Sequence, residues 1–413
     1  MSVPAGIRGT PGPAPVSGAL TLADIAELAA ARLDPAVWDF IEGGAGEERT
    51  VAGNRAAFDR TWLRPPALAG ARTAGATPGS AITILGRTWA APFGVAPTAY
   101  HTLAHPDGEL ATVRAAGAAG IPVAVSTFAG RTFEELAAAA TTPLWLQVYC
   151  FRDRGITDAM VRRAADAGFE ALLLTADTPF LGRRLRDVRN AFRLPAGVGP
   201  ANLPAGDYGS PSAHGRAQLD PALDWSEIAR LAAVASLPVL VKGVLSAADA
   251  RRAMAAGAAG VIVSNHGGRQ LDGAPPTLSV LPEVVAAIGG ALPVLLDGGV
   301  RRGADVLAAL AVGAGAVLLG RPVLHGLAAG GQEGVRRVFD IVREELLDAM
   351  ALCGLPGVGA IGPDLVRLDG APVVPCWSRL TPWPAPCESE PAGRGGNPAW
   401  RARSRSSTRS TDD

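Results

Sequence analysis

Gly260-Val-Ile-Val-Ser-Asn-His266-Gly-Gly-Arg269-Gln-Leu-Asp272-Gly273 changes character halfway along its length. Its opening, to Val263, is short, apolar and β-branched, the pattern of a strand buried on both faces. It stops in Asn265 and His266, then turns through two glycines into Arg269. A base and a fixed cation thus share one rim, and barrel enzymes set their catalytic groups at the C-terminal ends of strands. A single His or Arg in a loop ordinarily does no more than meet solvent. Here the strand before them and the Gly-Gly turn between them point to a site.

The same pattern recurs on either side. Apolar runs occupy 91–99, 121–127, 144–149, 171–177, 238–244, 260–266, 293–299 and 316–322. Ala-rich amphipathic segments separate most of them, for example 156–167, 247–256 and 302–311. Strands alternating with helices make a parallel sheet, and this number of them closes it, so the α/β class and a TIM (β/α)8 barrel are expected. Two N-terminal helices precede the barrel. One opens at Thr21; the other opens at Asp34-Pro35, a capping residue and a good first helical residue, and ends in Gly43-Gly44. From there to about residue 90 an irregular, Pro-rich passage is expected. After the fourth strand, 178–220 is long and rich in Pro, Gly and Arg, which reads as an active-site lid. Its start, Gly182-Arg183-Arg184-Leu185-Arg186, is basic enough to suit an anionic substrate.

Net charge is zero over 413 residues, which gives no pull towards nucleic acid or an anionic membrane. No apolar run is long enough to span a bilayer, and the N-terminus lacks the apolar core of a signal peptide. Cys150, Cys353, Cys376 and Cys387 show no metal-ligand spacing and are expected to be reduced thiols of a cytoplasmic protein. Residues 1–18 and 371–413 read as disordered tails around a barrel domain over 19–370.

Polar residues cluster where the strands end. They are Pro97-Thr98-Ala99-Tyr100, Ser126, Gln147 with Tyr149, Thr175 with Asp177, Lys242, Asp297-Gly298-Gly299-Val300-Arg301, and Gly320-Arg321. A Lys inside an apolar strand requires a charged or strongly polar partner. Glycines and arginines after strands seven and eight are a phosphate-binding pattern, with backbone N–H groups and bidentate cations. Thr98, Ser126, Gln147 and Thr175 offer neutral hydrogen bonds to the edge of a flat heterocycle, and Lys242 offers charge where a ring becomes anionic. A phosphate-tailed, electron-accepting heterocycle is flavin mononucleotide, FMN.

Over about residues 20–365 the chain resembles the FMN-dependent α-hydroxy acid oxidase family, which includes glycolate oxidase, lactate oxidase and mandelate dehydrogenase. The motifs that carry the resemblance are Ser264–Asp272, Leu296–Gly303, Val241–Gly243, Leu174–Pro179 and Gly320–Pro322. It implies that His266 takes the α-hydroxyl proton while hydride passes to flavin N5, with Asp177 supporting the imidazolium. It implies that Arg269 and Arg184 hold the substrate carboxylate and that Tyr149 bonds the reacting oxygen. Pro97, Thr98, Ala99, Ser126, Gln147, Thr175, Lys242 and Ser264 would meet the ring; Asp297, Gly298, Gly299, Arg301, Gly320 and Arg321 would hold the ribityl phosphate. A homotetramer, dioxygen as acceptor and hydrogen peroxide as product are implied too. The chemistry agrees: a base of near-neutral pKa suits the proton and a planar cation suits the carboxylate.

Two substrate-facing positions depart from the family. Phe40 stands where many members carry a carboxylate-binding Tyr, and Phe128 where glycolate-type members carry Trp. The Phe-bearing helix resembles the members that act on aromatic acids, so mandelate or 4-hydroxymandelate is the expected substrate. Open alternatives are a short-chain hydroxy acid, a decarboxylating oxidase, an FMN-barrel isomerase and a flavin-binding protein without activity.

Overall fold

Eight short parallel strands close into a barrel in the computed structural model, which describes residues 16–69 and 79–368. They are β1 (Phe93–Val95), β2 (Val123–Val125), β3 (Leu144–Val148), β4 (Ala171–Thr175), β5 (Val239–Val244), β6 (Gly260–Val263), β7 (Val294–Leu296) and β8 (Ala316–Leu319). The ring closes where Val317 of β8 pairs with Phe93 of β1. The expected TIM barrel is therefore the observed fold. Each strand lies within its expected run, and most runs continue past the ladder into the residues that form the site.

Side chains alternate between the two faces of a strand. One layer inside the barrel is apolar: Ala96, Ala124, Trp145, Leu173, Leu240, Ile262, Leu295 and Leu318. Two residues further along each chain come Thr98, Ser126, Gln147, Thr175, Lys242, Ser264, Asp297 and Gly320. The polar strand-end residues thus form the next inward layer, stacked on an apolar floor. At the opposite mouth the hairpin Ile82–Ile84/Arg87–Trp89 closes the barrel, with Ile84 and Trp89 packed into the same apolar layer.

Three helices come before the barrel: α1 (Leu22–Arg32), α2 (Pro35–Glu42) and α3 (Arg49–Asp59). Thr21 and Asp24 form a reciprocal capping box on α1, and Asp34 caps α2 with Pro35 in its first turn. The third helix corrects the expectation of an irregular passage up to residue 90. Its buried positions, Thr50, Asn54, Ala57 and Phe58, have helical spacing but are half polar. Its cap comes from far along the chain: the Asp272 carboxylate accepts from the Glu47 and Thr50 backbone N–H groups at 2.9 and 3.0 Å. The long connection after β4 contains two short helices, Leu185–Arg189 and Pro211–Gln218. Val16–Gly18 form a 3₁₀ turn; the rest of the expected tails, 1–15 and 371–413, lies outside the described residues. Among the described residues no helix is long and apolar enough to cross a membrane.

Candidate active site

A pocket of about 1250 Å³, measured out to its open mouth, sits over the polar layer. Gln147 ties that layer together. Its Nε2 donates to Thr175 Oγ1 at 2.8 Å, and its Oε1 accepts from Ser126 Oγ at 3.3 Å and Thr127 N at 3.1 Å. Lys242 finds the partner its position demands: Nζ is 2.8 Å from Asp297 Oδ2 and donates to Ser264 Oγ at 2.8 Å. Burial works against the ammonium, but the charges of Asp297 and Asp177 outweigh it, and its pKa is raised. Lys242 therefore stays cationic beneath the pocket. Ser264 is fully buried behind it and also accepts the His266 backbone N–H at 3.1 Å, so it supports the wall from behind.

One step further out, three side chains line up. Tyr149 Oη is 3.2 Å from His266 Nε2, and His266 Nδ1 is 3.0 Å from Asp177 Oδ1. Burial would raise the Asp177 carboxyl, but His266 and Lys242 beside it hold it below its ordinary value. A charged Asp177 fixes the Nδ1–H tautomer and leaves Nε2 free to accept a proton. His266 itself stands at φ +59°, left-handed backbone that costs a non-glycine residue energy. Gly243 makes the close approach to Asp177 possible. Its φ is +110°, and a Cβ there would lie 2.7 Å from Asp177 Cβ.

Cations crowd the other side of the pocket. Arg269 donates to the Phe40 and Gly43 carbonyls at 2.8 and 2.5 Å, and Arg321 donates to the Ile41 and Gly267 carbonyls at 3.1 and 3.0 Å. Both guanidiniums therefore sit on the negative, C-terminal end of α2. Arg184, from the long connection, is 8% exposed; its Nε has no partner, and Asp187 is 3.9 Å away. Burial, then the neighbouring Arg184 and Arg321, pushes Arg269 well below the ordinary arginine range. Burial, then Arg321, lowers Arg301 to about 10. So many buried cations with so few acids form a receptor for anions.

The remaining wall is aromatic. Phe40 stacks on Phe192 with ring centroids 4.4 Å apart, and Phe128 lies 5.9 Å from Tyr100 and 5.6 Å from Tyr149. Arg269 also lies over the Phe40 ring at 5.4 Å. Of the residues named from sequence, all but Asp177 and Ser264 line the pocket, and those two stand directly behind it. Sequence reading gave no site role to Tyr100, Leu181 or Pro211, which also line it. Two-residue alternation from Thr98 identifies Tyr100. Leu181 and Pro211 come from the long connection, where no period guides the eye.

The sequence matches the FMN-dependent dehydrogenase family over residues 29–368. It is 46% identical to a 4-hydroxymandelate oxidase of Amycolatopsis orientalis over 352 residues, covering 83% of this chain and 96% of that one. An L-lactate oxidase of Nostoc sp. is 45% identical over 366 residues, 86% of this chain and 99% of its own. A solved mandelate oxidase in complex with (S)-4-hydroxymandelic acid superposes with a TM-score of 0.81 at 44% identity, covering 85% of this chain and 99% of that one. The chain belongs to the FMN-dependent 2-hydroxy-acid oxidase family; it is an oxidoreductase and FMN is its cofactor. The pocket lining fits that cofactor: its neutral hydrogen-bonding groups and buried Lys242 suit a flat ring that gains negative charge, and Gly298, Gly299, Arg301 and Arg321 suit a phosphate.

Proposed function

We propose that the enzyme oxidises an aromatic (S)-2-hydroxy acid, mandelate or 4-hydroxymandelate, to the 2-oxo acid, with dioxygen as acceptor and hydrogen peroxide as product. The observation that carries this is the Tyr149–His266–Asp177 line facing buried Arg269 and Arg184 across one pocket. Bound FMN would supply the acceptor for the α-hydrogen together with the two electrons of its bond to the α-carbon.

The chain's own residues do the rest. Arg269 and Arg184 hold the substrate carboxylate, and the aromatic wall receives the ring. This sets the α-hydroxyl beside both Tyr149 Oη and His266 Nε2, within hydrogen-bond reach of each. His266 takes the hydroxyl proton at Nε2, and Asp177 at Nδ1 stabilises the resulting imidazolium. Burial raises the Tyr149 phenol, so it remains a hydrogen-bond donor to the reacting oxygen. Lys242 holds positive charge under the ring contacts of Pro97, Thr98, Ala99, Ser126, Gln147 and Thr175. Gly298, Gly299, Arg301, Gly320 and Arg321 hold the phosphate end, with Asp297 keeping Lys242 in place.

Phe40 supports the aromatic substrate: it adds ring surface and stacks on Phe192. The similarity to a 4-hydroxymandelate oxidase points the same way, while the L-lactate oxidase keeps short-chain acids as the second reading. Anaerobic mixing of the FMN-loaded enzyme with (S)-mandelate, then with L-lactate and glycolate, decides between them. Fast bleaching of flavin absorbance by mandelate, with recovery and peroxide release on admitting air, is expected. Bleaching by lactate or glycolate alone would overturn the aromatic substrate.

A further inference from the structure

Behind Thr98 lies His101, 3% exposed and unused by the chemistry above. Its Nε2 is 2.6 Å from Thr98 Oγ1 and its Nδ1 is 3.0 Å from Thr112 Oγ1. The chain is bent to bring these atoms together. Tyr100 adopts φ +56°, and its N–H is held by the Phe128 carbonyl. Glu109 Oε1 accepts from the His101 N–H at 3.1 Å and the Gly130 N–H at 3.0 Å. Ring and backbone are both anchored, and of the side chains that bond His101 itself, those of Thr98, Thr112 and Glu109, Thr98 alone lines the pocket.

A neutral imidazole has one donor and one acceptor nitrogen, and a hydroxyl has one hydrogen and two lone pairs. Burial favours the neutral ring, against the charge of Glu109. The short contact to Nε2 therefore decides which way Thr98 points its hydrogen. When Nε2 accepts, Thr98 turns lone pairs to the pocket; when Nε2 donates, Thr98 turns its hydrogen there. A threonine without such a partner rotates to suit whatever it meets.

We infer that His101 is a positioning residue: it fixes whether Thr98 meets the flavin ring as donor or acceptor, and so biases the ring's reduction potential. This rests on the proposed placement of the ring against Thr98. The test is the midpoint potential of FMN-loaded Thr98→Val, His101→Phe, the double variant and His101→Gln, whose amide can bond Thr98 in place of Nε2. Thr98→Val is expected to change the relative affinity for reduced and oxidised cofactor roughly fivefold, about 20 mV for a two-electron couple. His101→Phe should move the potential the same way by no more, and the double variant should match Thr98→Val alone. His101→Gln should return it towards wild type.

A shift in Thr98→Val with none in His101→Phe, or additive shifts in the double variant, would overturn the inference alone. No shift in Thr98→Val would overturn it together with the placement of the ring. Should His101→Phe not fold, His101→Ala takes its place: a potential equal to wild type overturns the inference, and a shift in the direction of Thr98→Val that is absent from the Thr98→Val, His101→Ala double variant supports it.

Discussion

At the N-terminal mouth of the barrel, Trp89 from the closing hairpin packs against Trp145 with ring centroids 5.4 Å apart, in a layer that is otherwise aliphatic. At the C-terminal mouth the same strands present Lys242, Asp297, Asp177 and four arginines, several with polar atoms left unpartnered. One mouth contributes hydrophobic burial. The other spends it on buried charge and on a left-handed His266. Stability and chemistry are thus divided between the two ends of one set of strands, with a single side-chain layer between them.

Substitutions at the two mouths should accordingly fail in different ways. His266→Asn removes the proposed base and should lower kcat by roughly 10²–10⁴-fold. Asn tolerates positive φ well, so thermal unfolding should be unchanged or shifted upward. Steady-state turnover beside a melting curve checks both; turnover above a tenth of wild type would remove His266 from the chemistry. Trp89→Ala should do the reverse, costing about 3–5 kcal/mol in denaturant unfolding while kcat per bound FMN stays at wild type. A loss of kcat with FMN fully bound would show that the floor and the polar layer are coupled.

The smallest effect should come from Glu42, the acid that tempers the cationic rim. Burial would raise its carboxyl, but the hydrogen bond with His325 (2.7 Å) and the charges of His325, Arg321 and Arg301 hold it at about 2. A carboxyl held below its ordinary 4.5 adds stability above that pH and loses it as pH falls towards 2. Glu42→Gln should therefore flatten the acid limb of the stability–pH profile between those values, losing near neutrality the stability the ionised carboxylate adds and converging on wild type as pH falls towards 2. Urea midpoints taken across that window measure the slope, and equal slopes in both proteins would discount the pair.

How much of this could be read from sequence depended on what each segment packs against. Strands buried on both faces must be apolar throughout, so all eight announced themselves as runs. Most site residues were legible because they break such a run at its end; Phe40 on α2 and Arg184 on the long connection do not, and they came from the family resemblance. The α3 helix was not legible, because its buried face is half polar and finds its partners more than two hundred residues along the chain. Asn54 exchanges hydrogen bonds with Asn265 at 2.9 and 2.8 Å, and Thr50 Oγ1 accepts the Gly273 N–H at 2.9 Å. Polar residues at helical spacing give no apolar period, and a cap supplied by Asp272 leaves no local signal. His101 escaped notice for a related reason: its role comes from the turn at Tyr100, which no pattern of residue types encodes.

The approach of Gly243 to Asp177 also bears on how this enzyme can diversify. Any side chain at position 243 would meet Asp177 atoms at 2.7–2.9 Å while sitting at φ +110°. No codon but glycine serves there, although residue 243 touches neither acid nor ring. Variation that retunes the choice of substrate must therefore travel through Phe40, Phe128 and the long connection with Leu181 and Pro211. Those side chains face the pocket without holding the proton-transfer line together. A mutant library built on these four positions should yield altered specificities, and one built on 243 should return only the parent.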